Sequence, residues 1–262
     1  MNIEWSKYKR FFSFGCSFTS YMWPTWADLI SKEIPDAEFF NFGKSGAGNL
    51  LISARIAEAN TRFKFTETDL VMVMYTTYCR EDRWVDNGEF PSTGWLSCGN
   101  IYNNDIYPKD WVKKFADERG YLIRDAALID MSTKYLETLP CTSYAMLSVP
   151  FAKGTEQSDN GVKVPEDIVE IYSDTFGKFK PSMYESILSG WQTDYTGFRD
   201  GHPSTIKYYD YLKKLGFSLS STTKQFAEDA TTIIKESKSR DILPFMFQEQ
   251  DDNITKCNNL MF

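Results

Sequence analysis

Over the first 150 residues, short apolar runs alternate with segments whose apolar positions recur at helical spacing. That rhythm predicts βαβ units around a parallel sheet. The apolar runs are Arg10 to Phe14, AEFFNF at 37–42, DLVMVMY at 69–75 and SYAMLSVPF at 143–151. The third is apolar on both faces, as expected of a central strand covered by helices on each side. Between the first two lies WPTWADLISKEIP, where Pro24 suits a first helical turn, Ala27, Ile30 and Ile34 share a face, and Pro35 stops the helix. NLLISARIAEANTRF puts Leu51, Ala54, Ile56 and Ala59 near one side of a second helix. Further helices are predicted at 109–119, 121–139, 204–215 and 221–237, the last starting at Ser221.

Three stretches lack a period. Residues 86–108, rich in Gly, Asn, Ser and aromatics, read as a long loop or lid. A polar segment opening at Ala152 to Asn160 and running irregularly to about 190 reads as an insertion. From 239 to 262 a hydrophobic patch mixed with polar filler reads as a C-terminal arm that packs on a neighbour, in a homo-oligomer or particle, or on its own core. Residues 1–238 are expected to form one domain, with no internal repeat.

Charge narrows the function. The net charge is −7, and basic residues cluster no further than pairs such as Lys113-Lys114 and Lys213-Lys214, so nucleic acid is not an expected partner. The five cysteines are odd in number and widely spaced without a C-x-x-C, which argues against a disulfide framework or a zinc ribbon and for a reducing compartment. One histidine and isolated cysteines make a poor metal-ligand set, and no cofactor motif stands out. The N-terminus lacks the apolar core of a secretory signal, and no run of about 18 apolar residues occurs. A soluble cytoplasmic protein with no membrane partner is expected, or a virion component if phage-encoded.

The candidate chemistry sits at two distant places. FGCSFT at 14–19 breaks the first strand with Gly15 and places Ser17 just beyond, as an ordinary turn would or as a strand-to-helix turn bearing a nucleophile would. The sole histidine, His202, is either a surface or satisfied core residue or a base, and it lies in FRDGHPSTIKYYDYL with Asp200 two residues before it and Pro203 opening the next helix. A hydroxyl, a base and an orienting carboxylate are the parts nucleophilic catalysis needs, together with donors aimed at an oxyanion. The Ser17 N–H is one candidate donor. NFGKSGAGN at 41–49 leaves the second strand at the same sheet end, where glycines let backbone approach a ligand, or serve a plain turn. It is not a P-loop, because Glu38 stands where that motif needs its first glycine. The charged run Arg80 to Arg83 reads as a solvated loop face, with Arg80 as an alternative contact for a substrate carboxylate or the oxyanion. Trp84, Phe90, Trp95, Tyr102 and Tyr107 pack inside or stack on sugar rings.

The order FGCSFT, NFGKSGAGN, a polar break after the third strand, and DGHP before a late helix resembles the SGNH/GDSL hydrolase superfamily across residues 10–215. The resemblance implies a flavodoxin-like three-layer α/β/α sandwich and metal-free hydrolysis of a small acyl ester, an acetyl group for instance, on a small molecule or glycan, through an acyl-enzyme. It makes Ser17 the nucleophile, His202 the base, Asp200 its partner with Asp194 as fallback, and the N–H groups of Ser17 and Gly46 the oxyanion donors. Asn49 and Arg80 become candidate substrate contacts. The sequence departs from the family in three places: Gly15-Cys16-Ser17 replaces Gly-Asp-Ser, the acid and base are spaced Asp-x-His, and YTTYCRED puts Tyr78 where the family has a donor asparagine. Thr76, Thr77, Tyr78 or Arg80 are candidate replacements for that donor. Two alternatives share the fold: acyl transfer to an acceptor, and a catalytically weak or inactive structural or binding protein of a viral particle or other assembly.

Overall fold

The computed structural model describes residues 3–86, 94–103, 105–149, 156–157, 162–163, 166–179, 181–187, 201–237 and 239–262. The first half runs β1 (Arg10–Gly15), α1 (Trp26–Glu33), β2 (Glu38–Asn41), α2 (Asn49–Phe63), β3 (Asp69–Tyr75), β4 (Arg80–Val85), β5 (Gly94–Asn100), α3 (Lys109–Phe115), α4 (Glu118–Glu137) and β6 (Thr142–Leu147). A two-residue pair follows, β7 (Glu156–Gln157) with β8 (Val162–Lys163), then the short helices α5 (Glu166–Ile171), α6 (Ser173–Gly177) and α7 (Met183–Ile187). The chain closes with α8 (Thr205–Lys214), α9 (Ser221–Glu236), α10 (Leu243–Met246) and α11 (Gln248–Asn259).

Four strands form one parallel sheet in the order β2–β1–β3–β6. All seven residues of β3 are buried, as its two-sided apolar pattern requires. The β1–β2 register sets Phe11 beside Phe39 and Phe12 beside Phe40, and both ring pairs stack at 4.9 and 4.8 Å between centroids. Because the strand order reverses direction at β1, right-handed crossovers send α1 and α2 to opposite faces. There α2 packs with α4, while α1 packs with α8 and α9. This is the doubly wound α/β sandwich expected, and such sheets bind ligands beyond the carboxyl ends of the strands where the order reverses.

Three expectations need correcting. Residues 86–108 are not simply a loop: β5 pairs antiparallel with β4. Every residue of β5 is half-buried, so neither face gives the alternation that marks a strand in sequence. The charges at 80–83 belong to β4, not to a solvated loop, and Asp82 is buried. The first helix starts after Thr25, which caps it with Asp28, so Pro24 lies outside. The C-terminal segment folds onto its own core: α11 lies along β2, Cys257 is fully buried, and the Asn253 amide accepts from the Asn41 N–H at 3.2 Å and donates to Phe39 O at 2.9 Å. It thereby satisfies backbone groups on the open side of an edge strand.

Candidate active site

The turn after β1 explains why a glycine ends that strand. A Cβ on Gly15 would lie 2.0 Å from Thr19 Oγ1 and 2.9 Å from Met74 O, so no side chain fits. The chain then folds tightly back, with Thr19 and Ser20 N–H both donating to Cys16 O at 2.9 and 3.1 Å. Ser17 sits in this turn. The turn is fixed from outside by Thr19 O, which accepts from Asn41 Nδ2 at 3.0 Å and Thr25 Oγ1 at 2.8 Å. Asn41 Oδ1 also takes the Gly43 N–H at 3.0 Å, and Lys44 N–H donates to Gly15 O at 3.0 Å. One buried side chain, Asn41, therefore joins the turn bearing Ser17 to the loop that follows β2. Sequence reasoning passed over it, although Asn-x-Gly at a strand end is the signature of an Asx turn.

His202 arrives from the other end of the chain. Trp23 Nε1 donates to Pro203 O at 2.9 Å and Thr205 Oγ1 to Pro24 O at 2.9 Å, which tie the start of α8 to the β1–α1 connection. The imidazole stacks on Tyr21 at 3.8 Å between centroids, with planes 14° apart, and meets Phe18 edge-on at 5.3 Å. Both rings belong to the connection that carries Ser17. The Tyr21 hydroxyl accepts from Arg240 at 2.9 Å. Asp200 and its fallback Asp194, like Phe90, lie outside the described residues.

Gly46 adopts a left-handed φ of +78° in the loop after β2. Among the described residues, nothing accepts from its N–H or from that of Ser17. The other candidates are placed differently. Thr77 is half-buried and Tyr78 buried in the loop after β3. Asn49 is not open to a substrate: it is fully buried, its Oδ1 takes the Thr76 N–H at 2.9 Å, and its Nδ2 donates to Thr76 O at 2.9 Å and Asp125 Oδ2 at 3.2 Å. It is a strut between α2, the end of β3 and α4. Arg80 turns toward the protein, donating from Nη1 to Ala47 O at 2.9 Å.

A buried polar network, unanticipated from the sequence, supports these loops. Asp82 accepts from Gly48 N–H at 2.9 and 3.1 Å, Leu51 N–H at 3.0 Å and Ser97 Oγ at 3.2 Å, so it caps α2 from another element. Burial nevertheless raises its carboxyl above the ordinary range, against the pull of those N–H donors. Arg124 donates to Arg80 O at 2.6 Å and pairs with Asp125 at 2.8 Å. Asp125 is pushed up to about 6, because burial outweighs Arg124 and Asn49. Burial likewise lowers Lys44, whose Nζ donates to Trp95 O at 2.6 Å. No group of three His, Cys, Asp or Glu side chains able to hold a metal occurs among the described residues, and no described helix is long and apolar enough to cross a membrane.

No family model matches the chain, nor does any curated protein. Among solved structures it is similar to a lipolytic protein of the G-D-S-L family from Veillonella parvula, at 14% identity and TM-score 0.46, over 80% of this chain and 100% of that one. It is also similar to a catalytic mutant of an acetylxylan esterase from Geobacillus stearothermophilus, at 16% identity and TM-score 0.45, over 84% of this chain and 100% of that one. A third, a gut microbial diltiazem-metabolizing enzyme, is 17% identical with TM-score 0.40, over 81% of this chain and 48% of that one.

Proposed function

We propose that the protein is a serine ester hydrolase of the SGNH type that removes a small acyl group, such as acetyl, from a carbohydrate through an acyl-enzyme. Ser17 Oγ attacks the ester carbonyl while His202 takes its proton, and Asp200 holds the imidazole tautomer. The carbonyl oxygen gathers charge toward the N–H groups of Ser17 and Gly46. The C–O bond to the leaving alcohol breaks as His202 returns the proton to it. Water, deprotonated by the same imidazole, then releases the acid and restores Ser17. The observation that carries this reading is the packing of His202 on Phe18 and Tyr21, which joins the only imidazole in the chain to the loop of the candidate nucleophile. Trp84, 45% exposed and edge-on to Trp95 at 6.1 Å and to Phe262 at 6.3 Å, offers a more distant sugar ring a stacking surface on the hairpin, over the α2 face of Ala54, Glu58 and Arg62.

Ser17→Ala is expected to abolish both hydrolysis of p-nitrophenyl acetate and covalent labelling by a serine-directed phosphonate. Undiminished turnover or labelling in that variant would refute the mechanism. Deacetylation of acetylated oligosaccharides, followed by release of acetate, tests the substrate class, and adding a sugar acceptor separates hydrolysis from acyl transfer. A second reading, a fold retained for binding or assembly, rests on Tyr78, a buried phenol where the resemblance calls for a side-chain donor. It predicts no turnover across a broad ester panel in the intact protein.

A further inference from the structure

The β4–β5 hairpin bonds to the loop after β2 at residues 44, 46, 47 and 48. Lys44 Nζ donates to Trp95 O at 2.6 Å, Gly99 N–H to Gly46 O at 3.0 Å, and Arg80 Nη1 to Ala47 O at 2.9 Å. Asp82 takes the Gly48 N–H and, one turn into α2, the Leu51 N–H. The fit is close enough to dictate sequence. A Cβ on Gly46 would lie 3.0 Å from Ser97 O, and one on Gly48 would lie 2.7 Å from Asp82 Oδ2 and 2.9 Å from Arg80 Cβ. These contacts use the carbonyls of residues 46 and 47 and the N–H of 48. They leave the Gly46 N–H uncommitted among the described residues, with both flanks of its peptide held.

We infer that the hairpin is the device that fixes the oxyanion loop, with Asp82 and Arg80 as positioning residues that set where the Gly46 N–H points. The inference rests on the esterase reading for its catalytic consequence, but the mechanical part stands on the contacts alone. A charged pair on a strand of a hairpin thus serves the site from behind, without touching substrate. Arg124, bonded to Arg80 O and Asp125, ties the same strand to α4 and completes the support.

Two readouts test it in the full-length protein. Hydrogen exchange of peptides spanning residues 42–51 should speed up in Asp82→Asn and in Arg80→Met, while peptides from α8 and α9 stay unchanged. In the same variants kcat for p-nitrophenyl acetate and the rate of phosphonate labelling should fall about 10- to 100-fold with KM nearly constant, as expected when a transition-state donor is misplaced. Leu136→Ala, a core truncation in α4, serves as the control: matched loss of Tm with unchanged kcat. Unchanged exchange at 42–51 would overturn the positioning role, as would accelerated exchange with undiminished kcat, or an equal kcat loss in the Leu136→Ala control at matched loss of Tm. A wild-type protein that neither turns over nor labels at Ser17 would sink the esterase reading and the catalytic consequence with it, while the exchange data still decide the mechanical part.

Discussion

Asn41 makes the sharpest test of how the site is assembled, because it is fully buried and its amide is committed at both ends. Replacing it by alanine leaves the buried Gly43 N–H without its acceptor, at about 1–3 kcal/mol, and removes one of two donors to Thr19 O, at about 0.5–1.5 kcal/mol. A loss of about 2–4 kcal/mol in urea unfolding follows, together with a drop in kcat as the Ser17 turn and the Gly46 loop drift apart. Asn41→Asp is the more telling variant. Its carboxylate still accepts from Gly43, but it faces Thr19 O at the 3.0 Å once spanned by an N–H donor, so it favours the protonated form, which can donate there. The folded state then binds that proton more tightly than the unfolded chain does. Stability is therefore kept at low pH and lost as pH rises through the raised value. Stability measured relative to wild type at pH 4 and pH 8 should show a near-native aspartate variant at the lower pH, close to the unfolded-state value of about 3.9, and an alanine-like one at the higher. An aspartate variant with the same deficit at both pH values, or an alanine variant within about 0.5 kcal/mol of wild type, would refute the bridging role.

Two further outcomes are expected. Gly15→Ala should cost about 1–3 kcal/mol or more through overpacking against Thr19 and Met74 O, and Thr19→Gly in the same chain should restore only part of it, since the Met74 contact remains; circular dichroism melts of the single and double variants check this. Asp125, ordinarily near 3.8 and pushed up to about 6, holds its proton more tightly when folded, so its contribution to stability is full below about pH 4 and fades as pH rises through 6. Asp125→Asn should flatten the stability–pH profile between pH 4 and pH 7 by up to about 3 kcal/mol, at 1.36 kcal/mol per unit of pKa, and an unchanged profile would count against the buried carboxyl.

The sheet was legible because β1, β2, β3 and β6 are apolar runs, although β2 and β6 are buried only over their last two residues. β3, apolar on both faces, was placed to the residue. β5 was not legible, since its half-buried residues have no dry face and its partner β4 reads as a string of charges. The site divides in the same way. Ser17 and His202 can be singled out by residue type and by the scarcity of histidine, but the rings of Phe18 and Tyr21 that receive the imidazole are a tertiary fact with no local signature. Asp82, Arg124 and Asp125 were hidden because a carboxylate that caps a helix in another element looks, along the chain, like any solvated charge.

The loop after β3 bears on the esterase reading, which calls for a side-chain donor near Tyr78. The backbone of Thr76 is held in both directions by Asn49, and three residues on Cys79 takes a left-handed φ of +65°, uncommon outside glycine. That turn swings the chain out of the parallel sheet and straight into β4. A loop shaped to present a side-chain donor over Ser17 has to stay near the strand end. This one instead spends its four residues, 76 to 79, on launching a hairpin whose first and third residues, Arg80 and Asp82, grip the Gly46 loop. Introducing an asparagine by Tyr78→Asn alone should therefore not raise kcat: it removes a buried phenol from the core while the backbone still leads into β4. A gain in turnover from that single change would mean that the loop already presents position 78 to the oxyanion, and that the hairpin's grip on Gly46 is incidental.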